Sequence, residues 1–208
     1  MKGLLNNNQL KIIALISMTI DHIGVQLFPD LIILRIIGRL AFPIFAYMIA
    51  EGCLYTKNKR KYLLTISITA LICQLVYFFV ERSLDQCILV TFSLSIMLIY
   101  IIERKNFVLS LCSLIACFII TQAINIDYGF VGIMLPVILY LSDTKAKKLL
   151  FSALILLIMS FDVGGVQWFS LFAIPLLALY NGKRGKLNLK YLFYIYYPLH
   201  LGIIYLLK

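Results

Sequence analysis

The chain has 208 residues, 62% of them hydrophobic and 13% charged, and carries a formal net charge of +10. At a mean hydropathy of +0.98, almost no stretch reads as the core of a water-soluble domain. The apolar runs are continuous, whereas barrel strands alternate in segments of about ten residues. Helices are the other way to satisfy a backbone in lipid, so composition predicts an all-α polytopic membrane protein. Charge this basic would suggest nucleic acid for a soluble chain, but here it sorts by loop. Lys57, Lys59, Arg60 and Lys61, then Arg104 and Lys105, then Lys145, Lys147 and Lys148, then Lys183, Arg184, Lys186 and Lys190 fall in every second loop, with Lys2 and Lys11 flanking the first run. Among the intervening loops only Arg82 is basic. By the positive-inside bias the amino terminus and the basic loops face the cytoplasm. The partner that this charge implies is the bilayer and not nucleic acid.

The first predicted span, Leu10 to Phe28, carries adjacent Asp21 and His22, with Ser17 and Gln26 a helical turn away on either side. These residues also interrupt any reading of the run as a secretory leader, and no small-residue cleavage site follows. Phe28-Pro29-Asp30 makes an outer turn. The second span, Leu31 to Tyr55, bears Arg35 and Arg39 one turn apart, and Pro43 is expected to kink it. The third to fifth spans cover Tyr62 to Val80, Gln86 to Ile102 and Phe107 to Ala123, with Gln74, Thr91 and Gln122 expected to hydrogen-bond between helices.

The sixth segment, Phe130 to Leu141, is short, and it crosses if the alternation of basic loops is to hold. The seventh runs from Leu149 to Phe161. The eighth, Trp168 to Tyr180, starts with an indole at an interface. The ninth, Tyr191 to Leu207, contains the second of the two histidines, His200. About nine spans leave the carboxyl terminus outside. No repeat, linker or low-complexity tract divides residues 1–208, so one membrane domain is expected. The five cysteines show no metal spacing and read as small buried hydrophobes.

A charged side chain in the bilayer interior costs on the order of 2.5–3.5 kcal/mol on insertion scales. It is kept where it faces a partner or a cavity. A rise of about 1.5 Å per residue puts Asp21, His22, Arg35, Arg39 and His200 in one layer of the outer half, with Tyr197 beside His200 and Asp127 and Asp162 above. Asp21 is the nearest counter-charge for the arginines, because the short turn makes the first two spans antiparallel neighbours. A metal held by the histidines and Asp21 is not expected, since the arginines would repel it. A structural ion-pair cluster is the plain alternative to a functional site.

The runs LKIIALISMTIDHIG, LRIIGRLAFPIFAYMIAEGCLYTKNKRKYL, DYGFVGI and KYLFYIYYPLHLGIIYLL closely resemble the TraX family of bacterial membrane proteins over nearly the whole chain. The resemblance implies a link with conjugation and with amino-terminal acetylation of pilin. The pattern is also similar to transmembrane acyltransferases, which take acetyl-CoA from the cytoplasm and modify an acceptor across the membrane through a histidine on an early span.

Carried onto this chain, that pattern makes His22 the catalytic histidine with Asp21 beside it. Arg35, Arg39, His200, Tyr197, Asp127 and Asp162 are then substrate or oxyanion contacts. The resulting expectation is a cytoplasmic-membrane acetyltransferase with acetyl-CoA as donor and a glycan, peptide or protein amino terminus as acceptor. Asp21 either orients the imidazole or pairs with Arg39, and His200 holds the acceptor. A small proton-coupled transporter and a non-enzymatic component of a conjugation or envelope machine are the alternatives from other classes.

Overall fold

The computed structural model describes residues 3–82, 84–187 and 190–207. Lys2, part of the amino-terminal basic flank, lies outside them. The described chain is helical, with isolated bridges in place of strands. It folds as two compact units, Met1–Met48 with Ser142–Lys208, and Ile49–Leu141.

The first unit contains α1 (Asn7–Gln26), α2 (Ile32–Gly38), the first half of α3 (Ala41–Tyr55), α8 (Lys145–Val163), a 3-10 segment (Gly165–Phe172), α9 (Ala173–Ala178) and α10 (Lys190–Leu206). α1 packs against α2 and α10, and α8 against the 3-10 segment and α9. The predicted second span is thus two helices, broken at Arg39 and Leu40. The cause is Pro43, which has no N–H for the Arg39 carbonyl and whose ring crowds it. The chain restarts at Ala41, so that Pro43 falls in a first turn, where no intrahelical N–H is needed. The predicted eighth span is likewise a 3-10 segment followed by the six residues of α9.

α1 and α2 meet at van der Waals distance because glycines stand at the crossing. A Cβ on Gly38 would lie 2.0 Å from Asp21 Oδ1, and one on Gly24 would lie 2.8 Å from the Leu34 Cβ. Small residues at such crossings let backbones approach, which packs apolar helices where no hydrophobic force separates helix from lipid.

The second unit contains the rest of α3, α4 (Lys59–Glu81), α5 (Ile88–Ile102), α6 (Phe107–Ala123) and α7 (Gly129–Leu141). α5 is central and touches α4, α6 and α7. At one end the Glu103 carboxylate accepts from Lys59 Nζ and from the Tyr140 hydroxyl, and the Lys59 ammonium also lies over the Tyr100 ring. At the other end two loops are tied by backbone bonds, Gln86 N–H to Asn125 O at 2.8 Å and Asp127 N–H to Gln86 O at 3.0 Å. Gln74 and Thr91 bond the backbone of these loops, at Asp85 O and Asp127 O. Gln74 Oε1 also accepts from the N–H of Cys87, the N-cap of α5, so the bonds expected between helices run to backbone at the helix ends. Gln122 is exposed.

Each unit therefore gathers its basic loops at one end. In the first unit Asn7 N–H donates to Lys183 O at 2.8 Å, Asn8 Nδ2 to Leu187 O at 2.8 Å, and Lys145 Nζ to Tyr180 O at 2.6 Å. Four helices that start at these ends have side-chain caps: Asn6 on α1, Asn58 on α4, Asn106 on α6 and Thr144 on α8. α2 and α5, which start at the opposite ends, have none. Uncovered N–H groups next to water are satisfied by these oxygens. All five cysteines are free, and Cys53, Cys73, Cys87 and Cys117 are buried as expected, but Cys112 is exposed on α6.

Candidate functional site

The site lies in the first unit, at the end away from the basic loops. Asp21 and His22 sit in the last turns of α1, and Gly38 leaves the space in which the Asp21 carboxylate fits. Arg35 Nη1 donates to Asp21 Oδ2 at 2.8 Å. Arg39 Nη2 donates to Oδ1 at 2.9 Å and to Oδ2 at 3.0 Å. The Asp21 and Arg39 side chains are only 14% and 12% exposed. Low exposure strengthens the attraction, since little water screens it. One carboxylate between two guanidinium groups leaves the cluster with one net positive charge. Of the two expected roles for Asp21, the structure shows the ion pair, with Arg35 as well as Arg39.

His22 faces α10. Its Nδ1 is 2.8 Å from Nε2 of His200, and the rings stack with centroids 5.0 Å apart. His200 is 5% exposed. Its Nδ1 is 2.9 Å from the Tyr196 carbonyl oxygen, and the Tyr196 ring lies on it at 5.1 Å, nearly parallel. Tyr197 presents its ring edge-on to both imidazoles, at 6.3 Å and 5.4 Å. The Tyr196 hydroxyl reaches Thr19 Oγ1 at 2.7 Å, and Thr19 itself donates to Leu15 O at 2.9 Å.

The structure thus brings together Asp21, Arg35 and Arg39, and beside them His22, His200 and Tyr197. Of the other two expected members, Asp162 lies on α8 and Asp127 in the loop before α7. Asp162 is exposed in the last turn of α8, and none of the hydrogen bonds above runs to it. Asp127 belongs to the second unit, where its backbone joins the two loops described above.

One residue escaped the sequence reading. Gln167, in the 3-10 segment that packs on α2, is 2% exposed, and its Oε1 lies 3.5 Å from Arg39 Nη1. Its amide Nε2 is buried without a protein partner, as is the hydroxyl of Ser170 one 3-10 turn later. Residues three apart eclipse in a 3-10 helix, so both polar groups lie on one face. The signal available in sequence was a lone amide in an apolar stretch, and its importance comes from the Arg39 contact alone.

Among the described residues no group of three or more metal-ligating side chains is assembled. Chemically, the arrangement offers an imidazole pair next to a net positive charge. That combination can accept a proton and stabilise a developing oxyanion.

Over 52 residues the chain is 50% identical to an uncharacterized protein of Rickettsia prowazekii, a match that covers 25% of this chain and 21% of that protein. It is 25% identical over 230 residues to a probable fimbrial assembly protein, FimC, of Dichelobacter nodosus, with 94% of this chain and 93% of that protein covered. No solved structure matches. The model of the family described as TraX protein matches residues 6–208, and with the whole of the site inside that match, the chain belongs to the TraX family.

Proposed function

We propose that this chain is a multi-pass acetyltransferase of the cytoplasmic membrane that moves an acetyl group from cytoplasmic acetyl-CoA to an amine or hydroxyl acceptor at or beyond the membrane. Membrane insertion is supported by two helical stretches long and apolar enough to cross, Ile32–Tyr55 and Lys59–Phe79. It is supported as well by α6, where Ile115, Phe118 and Ile119 are 51%, 49% and 59% exposed, a surface suited to lipid and costly in water. The basic ends of the units are the cytoplasmic ones by the positive-inside bias.

The observation that carries the catalytic reading is the His22–His200 pair set beside a carboxylate fully engaged by two arginines. In the reaction, His22 takes the proton from the acceptor as its oxygen or nitrogen attacks the thioester carbonyl carbon. The carbonyl oxygen becomes an oxyanion facing the positive cluster of Arg35 and Arg39. The C–S bond then breaks, and CoA leaves as a thiolate that receives the proton back from His22. The fimbrial-assembly name of the relative supports a surface-fibre subunit as acceptor, through an amine such as a protein amino terminus.

The test is to incubate the purified protein in detergent with acetyl-labelled acetyl-CoA and isolated membranes, following label transfer and CoA release. Wild type should transfer label. His22→Ala should lose about 10²–10⁴-fold, the usual contribution of a general base, with an unchanged unfolding temperature. Equal rates for wild type and His22→Ala would return the cluster to a purely structural role.

A further inference from the structure

His200 keeps neither ring nitrogen for a substrate. Its Nδ1 faces the Tyr196 carbonyl oxygen at 2.9 Å, and a carbonyl only accepts, so the hydrogen sits on Nδ1. The neutral ring then has a bare Nε2, and that atom faces His22 Nδ1 at 2.8 Å. A bare nitrogen also only accepts, so the hydrogen of this second bond belongs to His22 Nδ1. A neutral His22 protonated there has its lone pair on Nε2, for which no protein partner exists among these bonds.

We propose that His200 is a positioning residue that locks His22 in the Nδ1–H tautomer and so makes His22 Nε2 the proton-accepting atom of the site. The inference rests on the acetyltransfer reading only for what that lone pair does; the tautomer follows from the hydrogen bonds alone. It also replaces the expectation that His200 holds the acceptor.

The surroundings keep the orienting ring still. Tyr196 stacks on one face of His200 at 5.1 Å and Tyr197 closes its edge at 5.4 Å. Because the Thr19 hydroxyl hydrogen is committed to Leu15 O, the Tyr196 hydroxyl is the donor to Thr19, which ties α10 to α1 one turn before His22. In acid–base sites the imidazole is oriented by a third group, commonly a carboxylate. Here the neighbouring carboxylate, Asp21, is occupied by Arg35 and Arg39, and a second imidazole stands in the orienting place. When His22 Nε2 takes a proton, the Nδ1 hydrogen can pass along the 2.8 Å bond to His200 Nε2. The cation is then shared between two rings, and no atom or electron is lost from the pair.

The measurement is nitrogen NMR of the full-length chain, labelled at its two histidines, prepared in detergent without a histidine tag at a pH where both are neutral. Both rings should show a protonated Nδ1 and a bare Nε2. A His22 protonated at Nε2 in the wild type overturns the proposal. His200→Gln keeps an oxygen where Nε2 stood and should preserve the His22 tautomer. His200→Leu should release it to the Nε2–H form, and a folded His200→Leu protein that keeps Nδ1–H also overturns the proposal. Should His200→Leu not fold, the wild-type and His200→Gln spectra decide alone. In the label-transfer assay His200→Gln should stay within about tenfold of wild type, and His200→Leu should fall toward His22→Ala. A wild type with the expected tautomers and no transfer would sink the acetyltransferase reading and leave this inference standing.

Discussion

Replacing Asp21 by Ala removes the one carboxylate that Arg35 and Arg39 both engage and leaves two largely buried positive charges side by side. The expected loss is about 3–5 kcal/mol, read as a fall in unfolding temperature in detergent. Gly38→Ala should destabilise by about 1–3 kcal/mol through overpacking, because its Cβ would fall on the Asp21 carboxylate and force α1 from α2. Arg39→Lys keeps the charge but loses the planar fork that reaches both Asp21 oxygens and the Gln167 amide. It should lower label transfer more than tenfold while preserving the fold. At this scale much of the cluster was legible, because an acid inside an apolar run needs a partner and a helical turn separates the two arginines that supply it. The His22–His200 contact was legible only as a common depth. Its atoms, and the consequence for the tautomer, depend on how α10 is rotated against α1, which no spacing encodes.

Among the elements, α5 and α7 end in a clamp on Glu103 whose titration can be followed. Burial raises the Glu103 pKa, but the hydrogen bonds from Lys59 and Tyr140 outweigh it and hold the carboxyl below its ordinary value. A depressed carboxyl stabilises the fold above the ordinary carboxylate pKa and loses that contribution as pH falls through the lower folded value. Unfolding temperature should therefore drop on acidification below about pH 4, and Glu103→Gln should flatten the drop while costing about 1–2 kcal/mol at neutral pH. The start of α6 at Phe107 was legible from the apolar run, whereas α1, α4 and α8 begin about one turn before the expected Leu10, Tyr62 and Leu149, because polar and basic residues fill their first turns. The 3-10 segment was not legible, since its composition matches a span and its tighter winding is set by packing against α2 and α8.

For the molecule as a whole, the sorting of lysine and arginine by loop predicted which helix ends lie together, and in each unit the basic loops do share an end. Reporter fusions after residues 60 and 208 should score on opposite sides of the membrane, the first in the cytoplasm. Equal scores would invert the inferred orientation of part of the chain. The division into two units was not legible, because long apolar runs fill both and the first unit is assembled from the two ends of the sequence.

That assembly sets an order of events during synthesis. Asp21 finds Arg35 and Arg39 only 14 and 18 residues downstream, so its charge is neutralised within a single hairpin that needs no later helix. On the proposed membrane reading, the chain never has to hold a bare carboxylate in lipid while it waits for a distant helix. His22 meets His200 across 178 residues, so this pair forms only after α10 has been made. In the proposed reading the ion-paired half of the site forms as soon as α1 and α2 exist and the imidazole pair only once α10 is made, so a chain cut short before α10 would keep the ion pairs and lack the orienting partner of His22.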